Sequence, residues 1–247
     1  MPDPDMPLAV PGDVAEAIAL LTRLPVRART PRGGAAAWAY PLAGLTAGAV
    51  AALVAAAAGG LPPAITAGLA LTAMVALTGA LHEDGLADSA DGLWGGWTVQ
   101  RRLEIMKDSR VGTYGVIALV LSLGLRWAAL TSLAAAGGLT LVLIAAGVLS
   151  RAPMLAIMGA LPHARSTGLS ATVGRPGSDT VLLGLGLSGL AGFALLGFGI
   201  LPLAALLFVT TLAIARIAKA RIDGQTGDIL GATQQISEIA ILIYLAA

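Results

Sequence analysis

The chain has 247 residues, 57% of them hydrophobic and 12% charged, with a mean hydropathy of +0.85. Soluble domains carry about 25% charged residues, so this balance excludes an ordinary soluble fold and points to a polytopic membrane protein. A net charge of +1 gives no electrostatic case for nucleic acid, and the lack of Cys excludes disulfides and thiolate metal sites.

The opening MPDPDMPLAVPGD is acidic and proline-rich and lacks the positive start of a signal peptide, so insertion is expected through the chain's own helices. Asp13 is placed to cap a short helix over roughly 14–24, with Val14, Ala17, Ile18 and Leu21 on one face. That helix is read as interfacial or packed, not spanning. A basic loop, RLPVRARTPRGG, follows. Residues 35–58 predict a first span, closed by GGLPP, and 63–82 a second. The polar 83–111 segment must leave the hydrocarbon or line a cavity. A third span is expected over 112–136 and, after Gly137 and Gly138, a fourth over 139–161. Residues 162–179 read as a loop. The run 180–215 holds no Asp, Glu, Lys or Arg. As a helix it would be about 54 Å long, far more than one bilayer core. It is therefore expected to split at Gly199 to Pro202 into a fifth and a sixth span. A polar loop over 216–228 leads to a seventh, 229–247.

The positive charges agree with this layout. Arg23, Arg27, Arg29 and Arg32 precede the first span. Arg101, Arg102, Lys107 and Arg110 lie in 83–111, Arg165 and Arg175 in 162–179, and Arg216, Lys219 and Arg221 in 216–228. Only Arg126 and Arg151 fall inside spans. Every basic loop is thus on one face, expected to be cytoplasmic, with the N-terminus inside. The fold expected is all-α: one membrane-embedded domain over 1–247 with about seven transmembrane helices, six to eight being compatible. Small residues dominate the spans, which lets helices approach closely.

The acids are concentrated in HEDGLADSADG (82–92), just after a charge-free stretch from Gly33 to Leu81. Asp84, Asp88 and Asp91 are spaced i, i+4, i+7, which places them in one helical stripe. Glu104 and Asp108 repeat the i, i+4 step. Clustered carboxylates raise one another's pKa unless a cation neutralises them. Their hard oxygens favour Mg²⁺ or Mn²⁺ over zinc. Mg²⁺ so held completes its shell with substrate phosphates, which the neighbouring Lys and Arg would suit. A solvated acidic loop with capping charges is the plain alternative.

The blocks HEDGLADSADGLWGG and RRLEIMKDSRVGTYG resemble the signature of the cobalamin synthase family, the adenosylcobinamide-GDP ribazoletransferases. The matching residues are His82, Asp84 to Asp88, Asp91, Gly92, Met106 to Arg110, Gly112 and Gly115. LLTRLPV with YPLAGLTAG resembles the family's start, LPHARSTGL its middle loop, and GQTGDILGATQQISEIAIL its end. Glu83 stands where many members have an apolar residue and Asp223 where Gly is expected, which makes both poor candidates for essential roles. The resemblance implies a Mg²⁺-dependent enzyme of the bacterial inner membrane. It would join adenosylcobinamide-GDP to α-ribazole or its 5′-phosphate, with release of GMP. Partners left open are a second copy of the chain and other cobalamin-assembly enzymes.

On that reading Asp84, Asp88 and Asp91 ligate metal. One of them, or His82, removes the ribazole hydroxyl proton; His82 is equally read as a helix-end hydrogen-bonding residue. Asp108 completes the metal site or holds Arg110. Lys107 and Arg110 are phosphate candidates. Gly227, Gly231, Gln234 and Glu238 form a polar, small stripe on the last span, with Asp228 at its mouth as a substrate or metal candidate. Arg151 is expected to pair an acid of the site, or Glu238, whose plain role is a salt bridge to Arg126 or Arg151. Trp94, Trp97, Tyr114 and Trp127 mark the interface, Trp94 and Trp97 being alternatively ring contacts for substrate. His163 reads as loop surface. The competing classes are a membrane transporter and a lipid enzyme of the CDP-alcohol phosphotransferase type, whose motif carries Arg where this chain has Asp88.

Overall fold

A computed structural model describes residues 7–247, so the first six residues of the acidic opening lie outside it. Among the described residues the chain forms helices and no strand. The first helix, α1 (Gly12–Leu21), starts at Pro11 rather than at a side-chain cap. Asp13 has a different task. It is buried, and its Oδ2 accepts hydrogen bonds from Val10 N (3.0 Å), Arg32 Nη1 (2.8 Å) and Trp38 Nε1 (2.7 Å). These bonds pin α1 to the 3-10 stretch Gly33–Ala39, which runs into α2 (Tyr40–Ala57). The expected apolar face of α1 is the one that packs, with Ala17 and Leu21 in the core.

A left-handed pair, Gly79 (φ 63°) and Ala80 (φ 57°), ends α3 (Pro63–Thr78). The chain bends there by 84° into α4 (Leu81–Gly95), which carries the acidic motif. The second span expected over 63–82 is therefore broken at Thr78. After α5 (Val99–Ile105) come α6 (Thr113–Ala135) and α7 (Leu139–Leu149). Small residues do the work anticipated for them: a Cβ on Gly44 of α2 would fall on the carbonyl oxygen of Gly147 in α7. The α7 helix breaks at Ser150 and continues as α8 (Arg151–Ala160), where Pro153 cannot donate a backbone bond into the preceding turn. A single turn, α9 (Leu169–Val173), leads to α10 (Ser178–Leu196), a 3-10 turn at Gly197–Gly199, α11 (Ile200–Ile222) and α12 (Gly227–Ala246).

Among the described residues five segments are long and apolar enough to cross a bilayer, or six when the bent α3–α4 pair counts as one span. One of the five, Ser178–Ile222, has 45 residues, about twice a span's length. Its two ends lie beside the same end of α8. A Cβ on Gly159 would meet Val181, and Gln225 N donates to Pro162 O at 2.8 Å. The segment is a hairpin of two passes, as its length demanded. Counted that way the passes number seven, the second of them broken.

A buried charge network fastens the bundle. Arg126 of α6 pairs with Glu83 of α4 at 2.8 Å and with Glu238 of α12 at 2.7 Å. Gln235 accepts from Arg126 (2.8 Å) and from Ser122 (3.0 Å), and donates to Glu83 at 3.1 Å. Arg151 lies 3.7 Å from Glu238 and donates to Gly147 O (3.1 Å) and Ser150 Oγ (2.9 Å). Two Arg and two Glu balance, and none exceeds 7% side-chain exposure. Removing one partner of such a set strands its opposite charge, at a cost of about 3–5 kcal/mol. Arg126→Met is thus expected to lower the unfolding temperature in detergent sharply, and Arg126→Lys, which keeps a cation, to lower it less. Equal stability of Arg126→Met and the parent chain would contradict this role.

Candidate functional site

The network sets α4 against α12 with their backbones in contact. A Cβ on Gly85 would stand 2.9 Å from Asp228 O, and one on Gly231 would stand 3.2 Å from the Gly85 Cα. This close approach brings the first turns of the two helices together. Asp88, half-buried, then lies in the field of Asp84, Asp228 and Asp91, with Arg165 as the nearby cation.

Arg165 comes from the loop between α8 and α9. That loop is stitched to the turn before α12: Ala164 N donates to Gln225 O (2.9 Å), and Gln225 N to Pro162 O (2.8 Å). The Gln225 side chain, fully buried, lies 2.9 Å from His163 Nδ1 and accepts from Ser170 Oγ at 2.8 Å. So held, Arg165 Nη2 donates to Asp228 Oδ2 at 3.0 Å, an oxygen that also accepts from Thr226 Oγ1 at 3.1 Å. His82, Asp84, Arg165 and Asp228 line one cavity of about 220 Å³. Asp84 is exposed, and neither it nor Asp88 has a salt-bridge partner among the described residues. His82 is buried, and its Nε2 has no hydrogen-bond partner there.

Several residues expected at the site are used otherwise. Both oxygens of Asp91 accept backbone bonds, from Gly112 N (2.7 Å) and Gly115 N (2.9 Å). It caps the start of α6, and a side chain on either glycine would collide with it. Asp108 holds Arg110, the second of its two expected roles, with oxygens 2.7 Å from Nη2 and 3.0 Å from Nε. The Arg110 guanidinium and backbone N–H hold the Asp108 carboxyl at about 2, well below its ordinary range. Arg151 and Glu238, expected among the substrate contacts, are spent in the buried network and do not line the cavity. Lys107 Nζ donates to Thr167 Oγ1 at 3.1 Å, linking its loop to the one that carries Arg165. Among the described residues no three His, Asp or Glu side chains form a ready-made metal cage. The cavity instead offers Asp84 and Asp228, with Asp88 close to both; these are hard oxygen donors that suit a cation shared with a ligand's phosphates.

The sequence profile described as cobalamin-5-phosphate synthase matches residues 13–246. The chain belongs to this family. Three relatives bear the name adenosylcobinamide-GDP ribazoletransferase. The Bradyrhizobium diazoefficiens protein is 46% identical over 243 residues, covering 96% of this chain and 94% of its own. Those of Mesorhizobium japonicum and Brucella anthropi are each 43% identical, covering 96% and 95% of this chain and 93% and 96% of their own. No solved structure matches the chain.

Family membership accords with the resemblance of the acidic blocks, and the geometry redistributes their roles. Sequence reasoning counts Arg165 only as a loop cation and His163 as loop surface, although LPHARSTGL is one of the family-like blocks and was the available signal. Glu83, dismissed for departing from the family pattern, is a centre of the buried network. The other departure has a local cause: Asp223 sits at φ 61°, a left-handed position that favours Gly and that Asp tolerates. Arg126, Arg151, Glu83 and Glu238, the charges within the bundle, pair among themselves, which gives the transporter reading no support from these four. Trp97 is 93% exposed, while Trp94 carries the Arg221 guanidinium 5.9 Å above its ring.

Asp91→Ala should lower stability by about 1–3 kcal/mol, because two N–H groups at the start of α6 lose their acceptor. Thermal unfolding in detergent measures this. An unchanged midpoint would return Asp91 to the list of ligand-facing carboxylates.

Proposed function

We propose that the chain is an adenosylcobinamide-GDP ribazoletransferase, working with Mg²⁺ at the cytoplasmic face of a bacterial inner membrane. One observation carries this reading. Relatives of that name match it over nearly their whole length, and the start of the family's acidic motif, His82 to Gly85, contributes His82, Asp84 and Gly85 to the charged cavity. The distribution of Lys and Arg supports the cytoplasmic orientation.

The reaction is a phosphoryl transfer. A ribose hydroxyl oxygen of α-ribazole, or of its 5′-phosphate, forms a bond to the phosphorus that carries the corrinoid. The P–O bond to the other half of the pyrophosphate breaks, and GMP leaves. Catalysis of this kind is positioning and charge neutralisation. Asp84 and Asp88 would hold the Mg²⁺, with Asp228 beside them. When bound, the cation would neutralise phosphate oxygens. Arg165 contributes a fixed positive charge at the same place, and Lys107 and Arg110 add cations on the neighbouring loop. The hydroxyl proton passes to a carboxylate of the set Asp84, Asp88 and Asp228.

In nanodiscs, GMP release from adenosylcobinamide-GDP with α-ribazole 5′-phosphate should require Mg²⁺. It should fall about 100-fold or more in Asp84→Asn, with an unchanged unfolding temperature. Release that survives both a chelator and Asp84→Asn would sink the assignment. Orientation is testable because the chain has no Cys. A Ser109→Cys variant should react with an impermeant maleimide in inverted inner-membrane vesicles and not in intact cells; the opposite labelling would reverse the topology.

A further inference from the structure

A second cavity, a groove on the outer side of the bundle, is separate from the charged one. It holds about 470 Å³, within the ~300–1,000 Å³ of sites that take a specific small molecule. Leu93 of α4 and Ile229 of α12 are buried along it, while Ile117 and Leu121 of α6 and Ile214 and Ile217 of α11 form its sides. Ile117, Leu121 and Ile217 are exposed, so the groove opens toward the bilayer. Each side carries one helical stripe. Tyr114, Ile117 and Leu121 step by three and four, and so do Ile214, Ile217 and Arg221. The polar ends of both stripes lie where α6 begins and α11 ends, on the side of the basic loops. From Tyr114 to Leu121, or from Arg221 to Ile214, the helix rises about 10 Å. One leaflet's hydrocarbon is about 15 Å thick. The groove is thus apolar through much of a single leaflet and polar at its mouth.

Two independent features point to a ligand. The Arg221 guanidinium lies 5.9 Å from the ring centroid of Trp94, which lines the groove, and forms no ion pair among the described residues. It is an unanswered cation held beside the mouth. Ser89 of α4 also lines the groove. It is 3% exposed, yet its Oγ has no hydrogen-bond partner among the described residues. A buried helical hydroxyl can turn back to the carbonyl four residues earlier; that of Ser89 does not, and a buried hydroxyl left unpaired is costly.

We propose that this groove seats one anionic glycerophospholipid from the leaflet on the side of the basic loops. The Arg221 guanidinium donates to its phosphodiester, and the Ser89 hydroxyl donates to an ester carbonyl. One acyl chain lies between the isoleucines of α6 and α11, with Ile236 of α12 also in contact. The chemistry discriminates among occupants. An apolar helix of a second copy would leave both Arg221 and Ser89 unanswered. A water-soluble phosphate has nothing to place against the isoleucines. A zwitterionic headgroup brings its own cation to compete for the phosphate, and an anionic headgroup does not. Ser89 lies between Asp88 and Asp91 on α4, so the lipid backs the helix whose first turn lines the charged cavity. This binding does not depend on which reaction that cavity performs.

Lipid-stripped protein in detergent, titrated with phosphatidylglycerol or phosphatidylcholine of identical chains, tests the site by native mass spectrometry. Wild type should bind one phosphatidylglycerol ahead of any further lipid, about fivefold or more tighter than phosphatidylcholine. Arg221→Gln, at an exposed position, should bring the two lipids within about twofold of each other. Ser89→Ala should weaken both by about fivefold. Ala118→Phe, which fills the groove from α6, should abolish the first binding event with either headgroup. A second readout uses no groove-filling variant: phosphatidylglycerol with brominated chains should quench tryptophan emission in wild type and quench it less in Trp94→Phe. Equal affinity of wild type for the two headgroups, undiminished binding in folded Ala118→Phe, or quenching that Trp94→Phe leaves unchanged would overturn the lipid site. Conversion of a dimer to a monomer by Ala118→Phe with no loss of lipid would assign the groove to a second copy and overturn it equally.

Discussion

A guanidinium inside a bilayer has to be matched, and Arg126 is matched from two sides. Glu83 reaches it from α4 and Glu238 from α12, while Gln235 bridges Arg126 and Glu83. An isolated charge at this depth costs several kcal/mol, so the three helices cannot slide past one another without stranding one. Register along the bundle axis is therefore set by ion pairing, which apolar packing between small residues would specify weakly. The placement of Asp84 against Asp228 inherits this register. Glu83 is the residue before Asp84, and Glu238 lies less than three turns beyond Asp228 on one helix. Fixing the two glutamates on a common arginine fixes where the two aspartates meet.

Charge is thus handled in two ways along the same helices. At depth, positive and negative groups cancel and are sealed from ligands. At the cavity and beside it the balance is left open: among the described residues Asp84 and Asp88 lack salt bridges, and Arg165 pairs with Asp228. The break between α3 and α4 makes this arrangement accessible. A continuous helix through Gly79 and Ala80 would carry the acidic motif along the axis of α3. The bend of 84° turns it across α12 instead. Gly85 and Gly231 then permit backbone contact at the crossing, so the site is built at a helix–helix contact and not on a loose loop.

Much of this was legible in the sequence because its physical causes are local. Long charge-free runs become helices, the 180–215 run is too long for one pass, and Lys and Arg sort to one end. The acidic motif reads as the chemical centre from its spacing and its family likeness. What escaped depends on long-range pairing. Nothing near Glu83 in the sequence announces Arg126, 43 residues away, or Gln235, 152 residues away. Arg165 belongs to the site only because Gln225 stitches its loop to the turn before α12. Asp13 looked like a cap by position, yet the bonds that bury it come from Arg32 and Trp38, after a basic loop whose path the sequence does not reveal.

Asp91 shows where a periodicity argument needs a length as well as an angle. Positions i, i+4 and i+7 share a helical face, so three carboxylates in that pattern look like a ligand set. Along the axis, however, i and i+4 are separated by about 6 Å, and i and i+7 by more than 10 Å. A Mg²⁺ ion binds oxygens about 2.1 Å from its centre, so two ligands on it stand no more than about 4 Å apart. Flexible side chains close a gap of one turn and not a gap of two. On the proposed reading Asp84 and Asp88 would share an ion, and a third ligand would have to come from another element, where Asp228 stands. Asp91, two turns from Asp84, is left to the nearest unpaired donors, the N–H groups that begin α6. The same stripe of aspartates thus caps a helix at one end and, on the proposed reading, would serve chemistry at the other, because an ion is small and a helix is long.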